Sequence, residues 1–178
     1  MSTIPEPEVV HRLEQELEIS FREHYQMLYR TAYAILKNRA DAEDVPQTIF
    51  LRLLRCGVPA DFKVNAKRYL YRAAVNLSLD VIRTRKRQNL TSGVEKLEVP
   101  VDATETTLDE QIHKRLAEAI AELRTEDAEI LMMRYVHSYR ETELARLMGG
   151  TRGSIAIKLF RARARLKRIM RDLAGGGK

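Results

Sequence analysis

A chain of 178 residues with 44% apolar and 31% charged side chains supplies both a packed core and a densely charged surface, which excludes global disorder. Its one cysteine, Cys56, excludes an internal disulfide framework and a cysteine-based zinc site, and no apolar run approaches the ~20 residues that span a bilayer. The net charge of +6 is unevenly spread: residues 67–90 and 151–171 are basic, the second block with eight Lys or Arg and no acid, whereas residues 1–20 and 91–112 are acidic. Two basic blocks flanking an acidic connector predict two surfaces for a polyanion, held at some distance from each other.

In chain order, residues 1–20 read as an acidic N-terminal extension with nothing like an export signal, which predicts a cytoplasmic protein without membrane insertion. Phe21, Tyr25, Leu28, Ala32 and Ile35 then fall at helical spacing on one stripe. Residues 38–41 break it. Asp41 is the predicted N-cap of a second helix, with Glu43 and Asp44 near the positive end of its dipole. That helix carries Ile49, Phe50, Leu53 and Leu54 and stops before Gly57 and Pro59. A third, from about Ala66 to Lys86, is predicted to bury Leu70, Ala73, Ala74, Leu77 and Val81, closing a first domain over 21–87.

Residues 88–107 have no sustained period and read as a linker of roughly twenty residues, long for a connection inside one compact domain. Helical spacing returns at Leu108, Ile112, Leu116, Ile120 and Leu123, and Thr125 is the predicted cap of a helix with Ile130, Leu131 and Tyr135. A short helix through Leu144, Ala145 and Leu147, the pair Gly149-Gly150 and a long helix from Thr151 to about Leu173 complete a second domain over 108–174, with 175–178 as a tail. No strand-like alternation persists. The prediction is an all-α fold of two small helical domains joined by a flexible linker.

The four histidines, His11, His24, His113 and His137, lack metal-ligand spacing, and neither a phosphate loop nor a nucleophile motif is present. This predicts no catalytic residue, metal, cofactor or small-molecule substrate, and leaves the role of Cys56 open. The chemistry lies instead in residues 141–165, which have the form helix, glycine turn, helix. Gly149 suits a left-handed turn and Thr151 a cap. In the second of these helices Ile155, Leu159, Ala162, Leu166 and Ile169 form an apolar back, and Lys158, Arg161, Arg165 and Arg168 form a cationic stripe, with Arg152 near its start. That pattern fits a recognition helix for duplex DNA, phosphate contacts giving affinity and residues near 152–158 giving sequence choice. The plain alternative is a solvated basic face on a bundle helix.

Ala119–Arg124, Ala128–Tyr135, Glu143–Gly149 and Gly153–Arg163 together resemble region 4 of the sigma-70 family, extracytoplasmic-function group. The resemblance implies that the recognition helix reads the −35 promoter element through Thr151, Arg152, Ser154, Ile155, Lys158, Arg161 and Arg165. Ala156 stands where the family usually has Lys, and the turn reads Gly-Gly-Thr rather than Gly-Ile-Ser; both bear on which −35 sequence is preferred. Asp41–Leu53 resembles the family's region 2.2, which implies docking on the polymerase β′ clamp helices through Asp41, Glu43, Asp44, Gln47 and Phe50; Pro46 departs from a regular helix. Arg68–Arg83 resembles regions 2.3 to 2.4, with Tyr69 in the place usually held by Trp. It implies −10 recognition and melting by Lys67, Arg68, Tyr69, Arg72, Asn76, Asp80 and Arg83 with loop 57–66. Cations along the backbone and ring faces for unstacked bases suit a separated strand. Core packing of Phe50 and Tyr69, and pairing of Asn76 with Asp80 inside the helix, are the plain alternatives at those positions.

The resemblance spans about residues 21–87 and 108–171. It implies core RNA polymerase (β′ clamp helices and β flap), promoter DNA and an anti-sigma factor as partners. A stand-alone helix-turn-helix regulator is the main competing expectation; it would bind duplex DNA without polymerase. A helical protein whose basic faces meet acidic proteins is a third.

Overall fold

The computed structural model describes residues 7–92 and 108–175. Among them lie α1 (Pro7–Leu36), α2 (Arg39–Cys56), α3 (Ala60–Val64), α4 (Ala66–Ser92), α5 (Leu108–Glu122), α6 (Thr125–Tyr135), α7 (Glu141–Met148) and α8 (Arg152–Gly175), and no strand. The all-α expectation holds. Most of the expected linker, residues 93–107, and the tail beyond Gly175 lie outside the described residues.

α1 begins well before Phe21. Leu17 is buried against α2 and α4 with Leu28 and Ala32, so residues 7–20 continue the first helix rather than forming a separate extension. At the α1–α2 turn Lys37 takes φ +53°, and the cap is Asn38, whose side chain accepts from the Asp41 N–H at 3.0 Å. Asp41 therefore sits in the first turn, not at the cap. α2 buries Ala42, Val45, Pro46, Ile49, Phe50 and Leu53. Pro46 is interior, so the Ala42 carbonyl loses its usual i+4 donor.

α4 differs most from expectation. It runs to Ser92, five residues into the expected linker, and Asn65 starts it by accepting from the Arg68 N–H at 2.9 Å. Two of its faces are buried. Leu70 and Ala74 pack with α1 and α2, whereas Tyr71, Val75 and Leu79 join a second core cluster with Ile35 and with Ile120, Leu123, Ile130 and Met133 of the C-terminal half. The two halves thus share a core, where two bodies held apart were expected. α6 is the hub of the C-terminal half, burying an unbroken run from Asp127 to Met133. Its N-cap is Arg124, with Thr125 as first helical residue.

α7 and α8 form the expected helix-turn-helix. Gly149 and Gly150 take φ +72° and +146°, and a Cβ on Gly150 would come within 2.9 Å of the Ser154 hydroxyl. Thr151 caps α8 by accepting from the Ser154 N–H at 3.2 Å, and Ser154 Oγ returns the contact by accepting from the Thr151 N–H at 3.1 Å.

Candidate nucleic-acid and polymerase surfaces

On α2, Asp44 and Gln47 are exposed. Glu43 is half-buried and accepts from Arg39 at 3.0 Å, a bond that raises the Arg39 pKa. Asp41 receives both of its contacts from Arg85 at 2.7 Å, tying the start of α2 to the end of α4. Phe50 departs from its predicted docking role: it is 6% exposed and meets Phe21 edge-on with centroids 4.4 Å apart. Leu51 and Leu54, 49% and 52% exposed, occupy the outer face with Asp44 and Gln47 instead. The spacing 44, 47, 51, 54 is present in the sequence, where Leu54 counts only among the apolar residues of the helix.

Around the start of α4, Tyr69 meets Phe62 edge-on at 5.8 Å and lines an open cleft of about 400 Å³ with Cys56, Gly57, Val58 and Pro59. Lys67, Arg72 and Asp80 are exposed, and Arg68, Tyr69, Asn76 and Arg83 are half-buried. Several of these cations are engaged by the C-terminal half. The Lys67 ammonium lies 5.1 Å from the centre of the Tyr139 ring. Arg83 donates to the Ala121 carbonyl at 2.9 Å and the Leu123 carbonyl at 3.3 Å, as well as to Asp80 at 3.4 Å. Lys86 pairs with Glu122 at 2.7 Å. Arg72 and Arg68 lie within electrostatic reach of Glu129, which is 1% exposed; burial raises its pKa and those cations oppose the rise.

The same contact region holds His137. Its Nε2 is 2.9 Å from the Thr31 hydroxyl, its ring lies edge-on to Tyr71 at 5.3 Å, and Arg30 donates to the neighbouring Val136 carbonyl at 3.3 Å. Burial, helped by the charges of Arg30 and Lys67, lowers its pKa to about 4, so the ring is neutral at pH 7. Burial also pushes the Tyr71 phenol far above its ordinary pKa.

On α8, Ile155, Leu159 and Ala162 are buried against α6 and α7, so Ile155 supports the recognition helix from behind and does not reach a ligand. Arg165 is also removed from the expected reading face. It donates to Asp127 at 2.5 Å, and Arg124 meets the same carboxylate at 3.0 Å. Burial pushes the Asp127 pKa up, but the two guanidiniums outweigh it and hold the group below its ordinary value. Arg152 pairs with Glu141 at 3.1 Å, and Thr151 and Ser154 are engaged in the cap. Lys158 and Arg161 are exposed as expected. Sequence reasoning missed Ile157 and Phe160, which are 54% and 67% exposed on α8.

Among the described residues no group of His, Cys, Asp or Glu is placed to hold a metal, and no helix is long and apolar enough to cross a membrane. Two helical units in series, the second ending in a helix-turn-helix with an exposed basic helix, define a helical DNA-binding protein of transcription. Residues 20–88 match Sigma-70 region 2 and residues 113–166 match Sigma-70, region 4. The ECF RNA polymerase sigma factor SigL of Mycobacterium tuberculosis is 24% identical over 86% of this chain and 88% of its own. SigM of the same species is 28% identical over 88% and 78%, and SigW of Bacillus subtilis 26% over 82% and 84%, both also ECF RNA polymerase sigma factors. A solved structure of the sigma factor RpoE of Bartonella quintana in complex with the anti-sigma factor NepR superposes with a TM-score of 0.45 at 20% identity, covering 89% of this chain and 96% of that one. The chain belongs to the sigma-70 family, in its extracytoplasmic-function group. Its role is therefore promoter-specific initiation by RNA polymerase, a regulatory function.

Proposed function

We propose that α2 docks the core polymerase through Asp44, Gln47, Leu51 and Leu54, that the α3–α4 corner reads the −10 element as a separated strand, and that α8 reads the −35 element as duplex. The observation that carries this division is the order of the two units: a cleft lined by Tyr69 and Arg52 at the start of α4 precedes a capped helix-turn-helix whose last helix has no acid over 151–171. Tyr69 and the cleft suit an unstacked base, and Arg52 in its lining, with Lys67 and Arg68 just before Tyr69 in sequence, suits its backbone. Polymerase core, promoter DNA and an anti-sigma factor are the partners, and the cytoplasm is the site of action.

Reading both elements requires the two halves to part. Elements centred near −10 and −35 lie about 25 base pairs apart, or roughly 85 Å of B-form DNA at ~3.4 Å per pair. A folded chain of this length has a radius of gyration of only about 16 Å. Residues 93–107, fully extended, add up to about 50 Å. The closed arrangement, in which Arg83 and Lys67 are held by the C-terminal half, is thus the resting form, and the promoter complex is the open one.

Run-off transcription with purified bacterial core polymerase tests the assignment. Start-site-specific transcripts that fall on Asn76→Ala and on Arg161→Glu support both DNA surfaces. Absence of core binding, together with tight binding of the free protein to duplex DNA, overturns the assignment in favour of a conventional helix-turn-helix regulator.

A further inference from the structure

α8 is basic, yet the centre of its outer face is not. With 3.6 residues per turn, Gly153, Ile157, Phe160 and Ala164 fall on one line opposite the buried Ile155, Leu159 and Ala162. All four outer residues are exposed. Arg161 and Arg168 flank this line on one side and Lys167 on the other, all exposed. Ala156, where the family usually has Lys, places no cation beside Ile157. A narrow apolar line between cationic flanks matches the major groove, where phosphates border the two edges and base edges fill the middle.

Exposed Ile and Phe side chains on adjacent turns gain little from water, and the only apolar feature on a base edge in the major groove is the C5 methyl of thymine. We propose that Ile157 and Phe160 set the −35 preference of this protein by contacting thymine methyls. The two residues are three positions apart, a rise of about 4.5 Å, against ~3.4 Å per base pair, so the thymines lie on neighbouring or next-but-one steps. This rests on the assignment of α8 to the −35 element. The charge of the flanks favours DNA over a protein for this line, because an uninterrupted set of cations around it suits a polyanion.

The test uses the full chain with core polymerase. A duplex library randomised over the −35 region, upstream of a fixed −10 element, is selected by transcription, and the enriched thymines are then replaced singly by deoxyuridine, which removes only the methyl. The expected result is enrichment of a thymine pair and a loss of about fourfold in −35-dependent transcription per methyl removed. In Ile157→Ser and Phe160→Ala one deoxyuridine position in each variant should become silent, because its protein partner is gone, while the other keeps its effect. Deoxyuridine without effect on a promoter that still depends on its −35 sequence overturns the thymine reading and leaves the sigma assignment intact. Absence of any −35 dependence removes the assignment of α8 itself.

Discussion

Replacing Tyr71 by alanine should open the molecule without unfolding its parts. Tyr71 is fully buried in the cluster that joins α4 to the C-terminal half, and its ring meets His137 across the contact. The N-terminal core of Leu28, Ala32, Leu70 and Ala74 lies on another face of α4 and is kept. Removing a buried aromatic ring from a core costs about 3–5 kcal/mol, through lost burial and the cavity left behind. Assigned to the contact, 3 kcal/mol shifts the closed-to-open ratio by roughly a hundredfold. Several polar ties across the contact, among them Arg83 to two carbonyls, Lys86 to Glu122 and Arg30 to the Val136 carbonyl, are partly exposed and recover little of that. The assay is a distance distribution between labels on exposed Cys56 and on a cysteine placed at exposed Arg146. The wild type should give one short, narrow distance, and Tyr71→Ala a broad, longer one with unchanged helix content. A broad distribution in the wild type, or identical distributions in both proteins, would mean that Tyr71 does not hold the two halves together.

Acid should open the same contact. His137 is held at a pKa of about 4 when closed, and freed it returns towards 6.5, so the open form takes up a proton that the closed form refuses. The closed form is therefore fully favoured above pH 6.5 and loses ground as pH falls towards 4; scattering should show expansion in that window, abolished by His137→Asn. Asp127 works in the opposite sense to a buried lone acid: its lowered pKa contributes stability above its ordinary 3.8 that is lost as pH falls through the folded value. Thermal melts from pH 6 to 3 should show Asp127→Asn less stable at pH 6 by about 1–3 kcal/mol and the gap closing on acidification. Leu51→Glu should weaken core-polymerase binding at least about tenfold in a competition assay while leaving the melting temperature unchanged, because the side chain is exposed in the free protein. Unchanged affinity would remove Leu51 from the docking face.

Most of the helices were legible because one apolar stripe per helix is a local signal. The glycine turn and the Thr151 cap were legible for the same reason: each requires specific residue types within a few positions. What was not legible depends on contacts between distant segments. Tyr71, Val75 and Leu79 lie off the predicted stripe of α4 because a second partner covers them, and no window of sequence contains both partners. Arg165 matched the cationic stripe by spacing, but the carboxylate that holds it lies 38 residues away on α6. Phe50 takes its docking role from motif position, and burial assigns it to the core; Ile155 carries two sequence expectations, apolar back and −35 contact, and its burial keeps the first. Conversely, the exposure of Leu51, Ile157 and Phe160 is invisible to composition, since an apolar residue in an amphipathic helix is by default placed inside.

The two-sided burial of α4 bears on how this chain tolerates change over evolutionary time. One face of that helix packs α1 and α2, a second packs the C-terminal half, and the cations between them are the proposed readers of the separated strand. A substitution at most positions between Lys67 and Arg83 therefore alters folding, closure or promoter choice, and compensation must come from another segment of the chain. Drift among descendants of this sequence should be slow in α4 and correlated with changes in α5 and α6. Gly153, Ile157, Phe160 and Ala164 on the outer line of α8 are exposed in the described structure, so promoter preference can diverge there without disturbing the fold.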